Sequence, residues 1–283
     1  IGGAMIPQMV KGGCDRDFAV NVAITAALVA LLVPPSHNLI LYSASAGGGI
    51  SIADLFAAGI VPALLMTLTL MLTGWAIARR RGYATESFPG GRAVLVRLVA
   101  ALPGLLLVAL IFVGIKAGIF TAIESASIAV VYALLVTTLV YRGLDRHAFL
   151  ETLGGAARTT GVILFVIAAA TSFGWLLAYL QVPTAAVDAL TAIADSKIAV
   201  LLLMVLILLV LGTFMDLARL IIICTPIFLP VAKAFGVDPV HFGMIMIVNL
   251  AIGLITPPVG PTLFVGCAIG NVTIEEVSKE LWP

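Results

Sequence analysis

Residues 17–47 and 241–270 are each long and apolar enough to cross a bilayer, yet each carries two consecutive prolines, Pro34-Pro35 and Pro257-Pro258. Proline has no backbone N–H and its ring collides with the preceding turn, so no regular helix runs through either pair. In lipid the released carbonyls find no water, and non-helical backbone at that depth survives only where protein or a watery cavity covers it. Whatever fold the chain adopts must bury both interruptions beside groups that can satisfy them.

The remaining punctuation is that of a membrane protein. Apolar runs of about 20 residues, enough to span a hydrocarbon core of roughly 30 Å, recur along nearly all of the 283 residues. Charged residues make up 10% of the chain, well under the roughly 25% of soluble domains. An all-α polytopic membrane protein with one membrane domain is expected. Continuous spans are expected at 52–78, stopping at Arg79-Arg80-Arg81, and at 93–115, 120–141 and 156–180. A polar turn is expected from Arg142 to His147, and an amphipathic connector over 181–197. The stretch 198–229 is long for one tilted helix and holds GTFMDLAR in its middle, which predicts a helical hairpin that enters and leaves by one side. IGGAMIP lacks an initiator methionine and EEVSKELWP reads as the approach to another span, so a fragment lacking both ends is expected.

Charge tests this topology, because short cytoplasmic loops carry the excess of Lys and Arg. With 52–78 ending inside, eleven of the fifteen basic residues lie at the inner side, Lys116, Lys197 and Lys233 lie outside, and Arg219 belongs to the hairpin. Arg79 to Arg81 read as a stop signal facing anionic lipid. A net charge of +1 without a basic cluster on a solvated face gives no nucleic-acid surface. The cysteines, Cys14, Cys224 and Cys267, have neither disulfide nor metal-ligand spacing and read as small buried hydrophobes.

A shift of 223 residues superposes the two interrupted passages without a gap: Pro7 on Pro230, Gly13 on Gly236, Asp15 on Asp238, Ile24 on Ile247, Leu31 on Leu254, Pro34-Pro35 on Pro257-Pro258, and Gly47 on Gly270. Most of these matches are Pro, Gly or Asp, which an apolar composition rarely aligns. An odd number of crossings separates the copies, so they are expected to be inverted in the membrane. Inverted repeats with discontinuous helices at matched positions point to a secondary transporter with its sites near the midplane. The carbonyls from Leu31 to Val33 need a partner, and a small hard cation supplies one, with side-chain oxygens from Ser36 and Asn38, or from Thr256 and Thr262 in the second copy. The half-helix after each interruption points its positive end at the gap and favours a carboxylate.

Other polar residues have two readings. Asp216 lies mid-hairpin, where an ionised carboxylate costs about 2.5–3.5 kcal/mol, and is expected at an ion or substrate site, as the cap of the following helix, or in both roles. Arg219 is expected to pair with Asp216, or else to reach a substrate carboxylate. Asn249 is expected to hydrogen-bond between helices. His37 is expected to be a hydrogen-bonded structural group, and Glu124 to be interfacial or paired.

PPSHNLILYS, GGGISIADLFAAGIVP, GIFTAIESASIAVVYALLV, LGTFMDLARLIIICTPIFLPVA and DPVHFGMIMIVNLAIGLITPPVGPTLFV together resemble the DctM-type large membrane subunit of tripartite ATP-independent periplasmic (TRAP) transporters. The resemblance covers essentially the whole chain. It implies a non-enzymatic, elevator-type, sodium-coupled importer of organic acids in a bacterial or archaeal inner membrane. Its partners would be a small DctQ-type membrane subunit and a periplasmic DctP-type binding protein. Residues 1–50 and 148–283 would belong to the transport domain, with 1–9 the exit arm of a first hairpin, and 51–147 would be mainly scaffold. By that mapping the first ion site pairs an upstream tip with Pro34, Pro35, Ser36 and Asn38. The second pairs Gly212, Thr213 and Asp216 with Thr256, Pro257, Pro258 and Gly260. Sodium is expected at Ser36, Asn38, Asp216 and Thr256. Ala122 and Thr213 depart from the proline and methionine usual in the family, so coordination by the Thr213 side chain is not implied.

Three other readings compete. A sodium-coupled dicarboxylate or citrate carrier without a binding protein shares the hairpin-and-break design. An intramembrane hydrolase needs a paired catalytic constellation, and the sequence supplies none around Asp216. A scaffold protein gives no reason for inverted breaks.

Overall fold

The computed structural model describes residues 2–83, 90–141, 143–181, 185, 196–257 and 259–281. The described helices are, in chain order, α1 (Gly2–Lys11), α2 (Arg16–Ala30), α3 (His37–Ser45), α4 (Ile52–Arg81), α5 (Gly91–Lys116), α6 (Ala122–Leu135), α7 (Arg146–Tyr179), α8 (Lys197–Phe214), α9 (Leu217–Ala234), α10 (Pro239–Gly253), α11 (Pro261–Gly270) and α12 (Ile274–Leu281). A π-helical turn, Val136–Val140, extends α6. Among the described residues four helices, α4, α5, α8 and α9, are long and apolar enough to cross a membrane. The chain divides into two compact units, Ile1–Thr85 with Ala170–Pro283, and Glu86–Ala169.

The larger unit holds both interrupted passages. The first is α2 and α3 with residues 31–36 between them, and the second is α10 and α11 with residues 254–260 between them. Neither is a continuous rod. The expected hairpin is α8 and α9, joined by Met215 and Asp216 in extended backbone. Lys197, at the start of α8, donates to the carbonyl of Gly236 just past the end of α9 at 2.7 Å, which closes the hairpin at its base. A helix rises about 1.5 Å per residue, so each 18-residue arm is long enough to approach the far side of a bilayer. Both ends of the hairpin still face the same way.

The repeat is visible in element boundaries and in packing. Adding 223 to the bounds of α2 gives those of α10, and adding it to the end of α1 gives the end of α9. Gly13 and Gly236 both take positive φ, 90° and 68°, in the turns before α2 and α10. The packing is reciprocal: α1 lies on α2 and on α11, while α9 lies on α10 and on α3. Knobs and holes trade places too. A Cβ on Gly270 or Gly266 of α11 would stand 2.1 Å from Val20 or 2.3 Å from Ile24 of α2, whereas in the other pairing Tyr42 of α3 fills the space left by Gly243 of α10. Tyr42 is fully buried, and its hydroxyl donates to Pro239 O at 2.7 Å.

The first half of α4 packs on α2, α3 and α10 through Leu55, Phe56, Gly59 and Ala63. Its far end is tied by charge. Arg81 pairs with Asp15 at 3.3 Å and with Glu280, and Tyr83 donates to Asp15 at 2.7 Å. Asp15 before α2 and Glu280 of α12 thus converge on Arg81. Arg79 and Arg80 remain exposed, Arg79 over the Trp75 ring. The last helix, α12, docks on α2 by burying Val277, whose carbonyl accepts from Asn21 at 3.1 Å.

In the smaller unit α5 and α6 pack together, and the Tyr132 hydroxyl donates to Pro103 O at 2.9 Å. Thr121 and Glu124 cap α6 reciprocally, which fixes Glu124 as a helix-start residue. The expected span at 156–180 begins earlier than its apolar run, at Arg146, because Asp145 accepts from the Ala148 N–H at 2.7 Å and helix-forming residues follow. Most of the expected connector over 181–197, and Arg142 of the expected turn, lie outside the described residues.

Candidate functional site at two interrupted helices

At the first interruption α2 ends with Leu31 and Leu32, whose N–H groups turn back to Leu28 O and Val29 O at 3.1 Å. The Pro34–Pro35 peptide is cis. Ser36 is buried and stands at the N-cap of α3, yet its hydroxyl donates to Leu31 O instead of capping. Leu32 is fully buried, and its carbonyl faces Gly59 of α4 so closely that a Cβ there would lie 2.7 Å from the oxygen. Asn38 is 1% exposed, and neither its Nδ2 nor its Oδ1 has a partner among the described residues. An amide buried without hydrogen bonds costs about 1–3 kcal/mol and requires an explanation.

At the second interruption Thr256 donates to Ile252 O at 2.7 Å, and its N–H donates to Gly253 O at 3.1 Å. Gly260 takes a left-handed φ of 49° ahead of Pro261, which opens α11 as its first residue. That turn aims the Gly260 N–H at Thr213 O, 2.9 Å away, while the Thr262 N–H reaches Leu254 O at 3.2 Å. The tip of the α8–α9 hairpin thus sits on the second interruption. Gly212 and Gly253 allow the approach, since a Cβ on Gly253 would meet Gly212 backbone at 2.7 Å. Of the residues expected to group here, Thr213 and Gly260 are joined by that hydrogen bond, while Gly212 lies against Gly253, which was not among them. Pro257 lies in this passage, and Pro258 lies outside the described residues.

Asp216 caps α9 by accepting from the Ala218 N–H at 3.3 Å, and it is half-buried. Arg219 is exposed and makes no ion pair with Asp216 among the described residues, because the cap turns the carboxylate back over the first turn of its own helix. Thr213 is buried and donates to Val210 O at 2.7 Å. Asn249 joins α10 to α8 by donating to Val205 O at 2.7 Å, as expected. His37 is exposed, and no hydrogen bond to its imidazole occurs among the described residues, so it is not the hydrogen-bonded structural group its position led us to expect. Gly59 and Gly253, which let helices close on the interruptions, were not singled out from sequence. Their signal is a glycine inside a helical pattern, which costs about 1 kcal/mol against alanine unless packing needs the space.

Known proteins are similar to this chain in sequence. A relative from Salmonella typhimurium, known as uncharacterized protein YgiK, is 40% identical over the whole chain, which covers 65% of it. The isethionate TRAP transporter permease protein DctMQ of Oleidesulfovibrio alaskensis is 38% identical, and the chain covers 44% of its length. The sialic acid TRAP transporter large permease protein SiaM of Vibrio cholerae is 37% identical, with 66% covered. The chain therefore spans less than two thirds of the length of the first relatives. The family model for the tripartite ATP-independent periplasmic transporter DctM component matches residues 1–283, and with interrupted helices and hairpin where that resemblance put them, the chain belongs to the DctM family of multi-pass membrane transporter components.

Proposed function

We propose that the protein is the membrane-embedded translocation subunit of a sodium-coupled secondary transporter that imports an organic acid across a bacterial inner membrane. The observation that carries this reading is the pair of interrupted helices, α2–α3 and α10–α11, related by one sequence shift and by reciprocal packing. An exchange of partners of this kind is what a two-fold relation between copies requires. The odd number of expected crossings between them argues for an axis in the membrane plane, and so for inverted copies. Such a design supports rigid-body movement of the interrupted helices as an elevator.

Sodium would be held by backbone carbonyls at the interruptions together with oxygens of Ser36, Asn38, Asp216 and Thr256. A hydroxyl that donates to a carbonyl keeps lone pairs for a cation, and Asp216 uses one carboxylate oxygen for its cap. Relatives are named for isethionate, sialic acid and C4-dicarboxylates, all organic anions, which supports an acidic cargo. Delivery by a DctP-type periplasmic protein and assembly with a DctQ-type subunit follow from the family, and the combined name DctMQ of one relative supports the second partner.

The test is uptake by the full-length protein, reconstituted with both partners in proteoliposomes. An organic acid should accumulate under an inward sodium gradient and fail to do so when potassium replaces sodium. Accumulation indifferent to sodium would refute the coupling.

A further inference from the structure

The two interruptions match in sequence but not in what they leave unsatisfied. At the second, the Gly260 and Thr262 N–H groups donate to Thr213 O and Leu254 O, and Pro261 between them has none to offer. At the first, Ser36 spends its hydroxyl on Leu31 O, so the nine-residue helix α3 starts without a side-chain cap. Among the described residues the N–H groups of His37, Asn38 and Leu39 have no acceptor. Asn38, at the second position of that helix, adds a buried amide whose Nδ2 and Oδ1 are both unpartnered. Open backbone donors at the positive end of a helix, with an unpartnered side-chain donor among them, favour an anion.

Resting on the transport reading above, we infer that the acidic group of the cargo binds at the first interruption, on the α3 amides and Asn38 Nδ2, and not at the second. Asn38 Oδ1 stays free to accept from a cargo hydroxyl or to face a cation. The repeat then supplies one anion seat instead of two, because Pro261, Thr262 and the hairpin tip leave only the Leu263 N–H without an acceptor at the second among the described residues.

The experiment uses the full-length permease with its partner subunit and binding protein. Uptake of radiolabelled succinate, sialic acid and isethionate is measured under a sodium gradient, and whichever acid is taken up is used with Asn38→Asp and Asn38→Ala. Loss of a hydrogen bond to a charged group predicts a rise of about tenfold or more in half-saturating cargo concentration, larger for Asp. Unchanged cargo saturation in variants that melt like the wild type overturns the inference, as does a shift confined to sodium. Should the variants fail to fold, hydrogen exchange on the wild type decides. Saturating succinate, sialic acid or isethionate should protect residues 37–40 and leave 260–264 unaltered, and protection of the second segment or of both overturns it. Uptake indifferent to sodium counts against the coupled-transport reading alone, since exchange still locates the acid.

Discussion

Gly253 of α10 lies against the backbone of Gly212 of α8, and a Cβ built on Gly253 would stand 2.7 Å from both the Cα and the carbonyl carbon of Gly212. Backbone cannot step aside as a flexible side-chain end can. This crossing brings the hairpin tip within hydrogen-bond reach of the second interruption, where Gly260 donates to Thr213.

Gly253→Ala should therefore cost about 1–3 kcal/mol through overpacking. Gly212→Ala, whose nearest obstacle is at 3.2 Å, should cost less. Gly74→Ala in α4, with nothing within 4 Å, should be neutral or stabilising, since alanine is favoured over glycine in a helix by about 1 kcal/mol. Melting temperatures of the detergent-purified protein check the ranking, and an equal loss in all three would contradict it.

Asn249 bridges α10 to Val205 of α8 at 2.7 Å, and the hairpin depends on that side chain for its grip beside the crossing. Removing it as Asn249→Ala should cost about 1 kcal/mol, within the range of hydrogen bonds between membrane helices. Asn249→Asp should cost more, because a carboxylate cannot donate to the carbonyl and carries charge into an apolar contact. Chemical or thermal unfolding in detergent distinguishes the two, and a more stable Asp variant would exclude the bond as a contributor.

Much of this arrangement is legible in sequence because proline and glycine act on backbone alone. Pro34-Pro35 and Pro257-Pro258 interrupt their helices whatever surrounds them, and GTFMDLAR breaks the hydrophobic run that becomes the hairpin. That Asp216 caps α9 was not legible, since a ligand and a cap both call for an acidic residue at a helix start. Ser36 and Thr256 were read as side-chain oxygens for a cation or as partners of freed backbone groups, and each donates to a carbonyl of its own passage; that bond depends on local dihedrals that residue type does not fix. Gly59 and Gly253 matter through helix crossings, which pair residues far apart in the chain.

Arg81 gathers Asp15, Tyr83 and Glu280 at one end of the larger unit. The Arg81 and Glu280 side chains are 32% and 14% exposed, so water screens this pair less than an ordinary surface pair. Arg81→Gln and Glu280→Gln should each destabilise the docking of α12. In a double-mutant cycle read by thermal unfolding, the pair should show a coupling of about 0.5–2 kcal/mol. A coupling of zero would assign the docking of α12 to Val277 alone.

The final prediction concerns pH and α12. Thr273 donates its N–H to Glu276 at 2.9 Å and accepts the Glu276 N–H at 3.3 Å, a reciprocal cap, while Lys279 donates to Glu275 at 2.8 Å. The Thr273 N–H holds the Glu276 carboxyl below its ordinary range, and Lys279 does the same for Glu275. Carboxyls depressed in the folded state contribute stability above their unfolded values, near pH 4.3, and lose it as pH falls through the lower folded values. Amide protection over residues 274–281, corrected for intrinsic exchange, should hold steady from about pH 8 to pH 5 and decline below about pH 4. Glu276→Gln keeps an acceptor without the charge, so its protection should start lower and fall less steeply on acidification. A wild-type profile flat down to about pH 3 would mean that Val277 and its contact with α2 hold the helix without help from these charges.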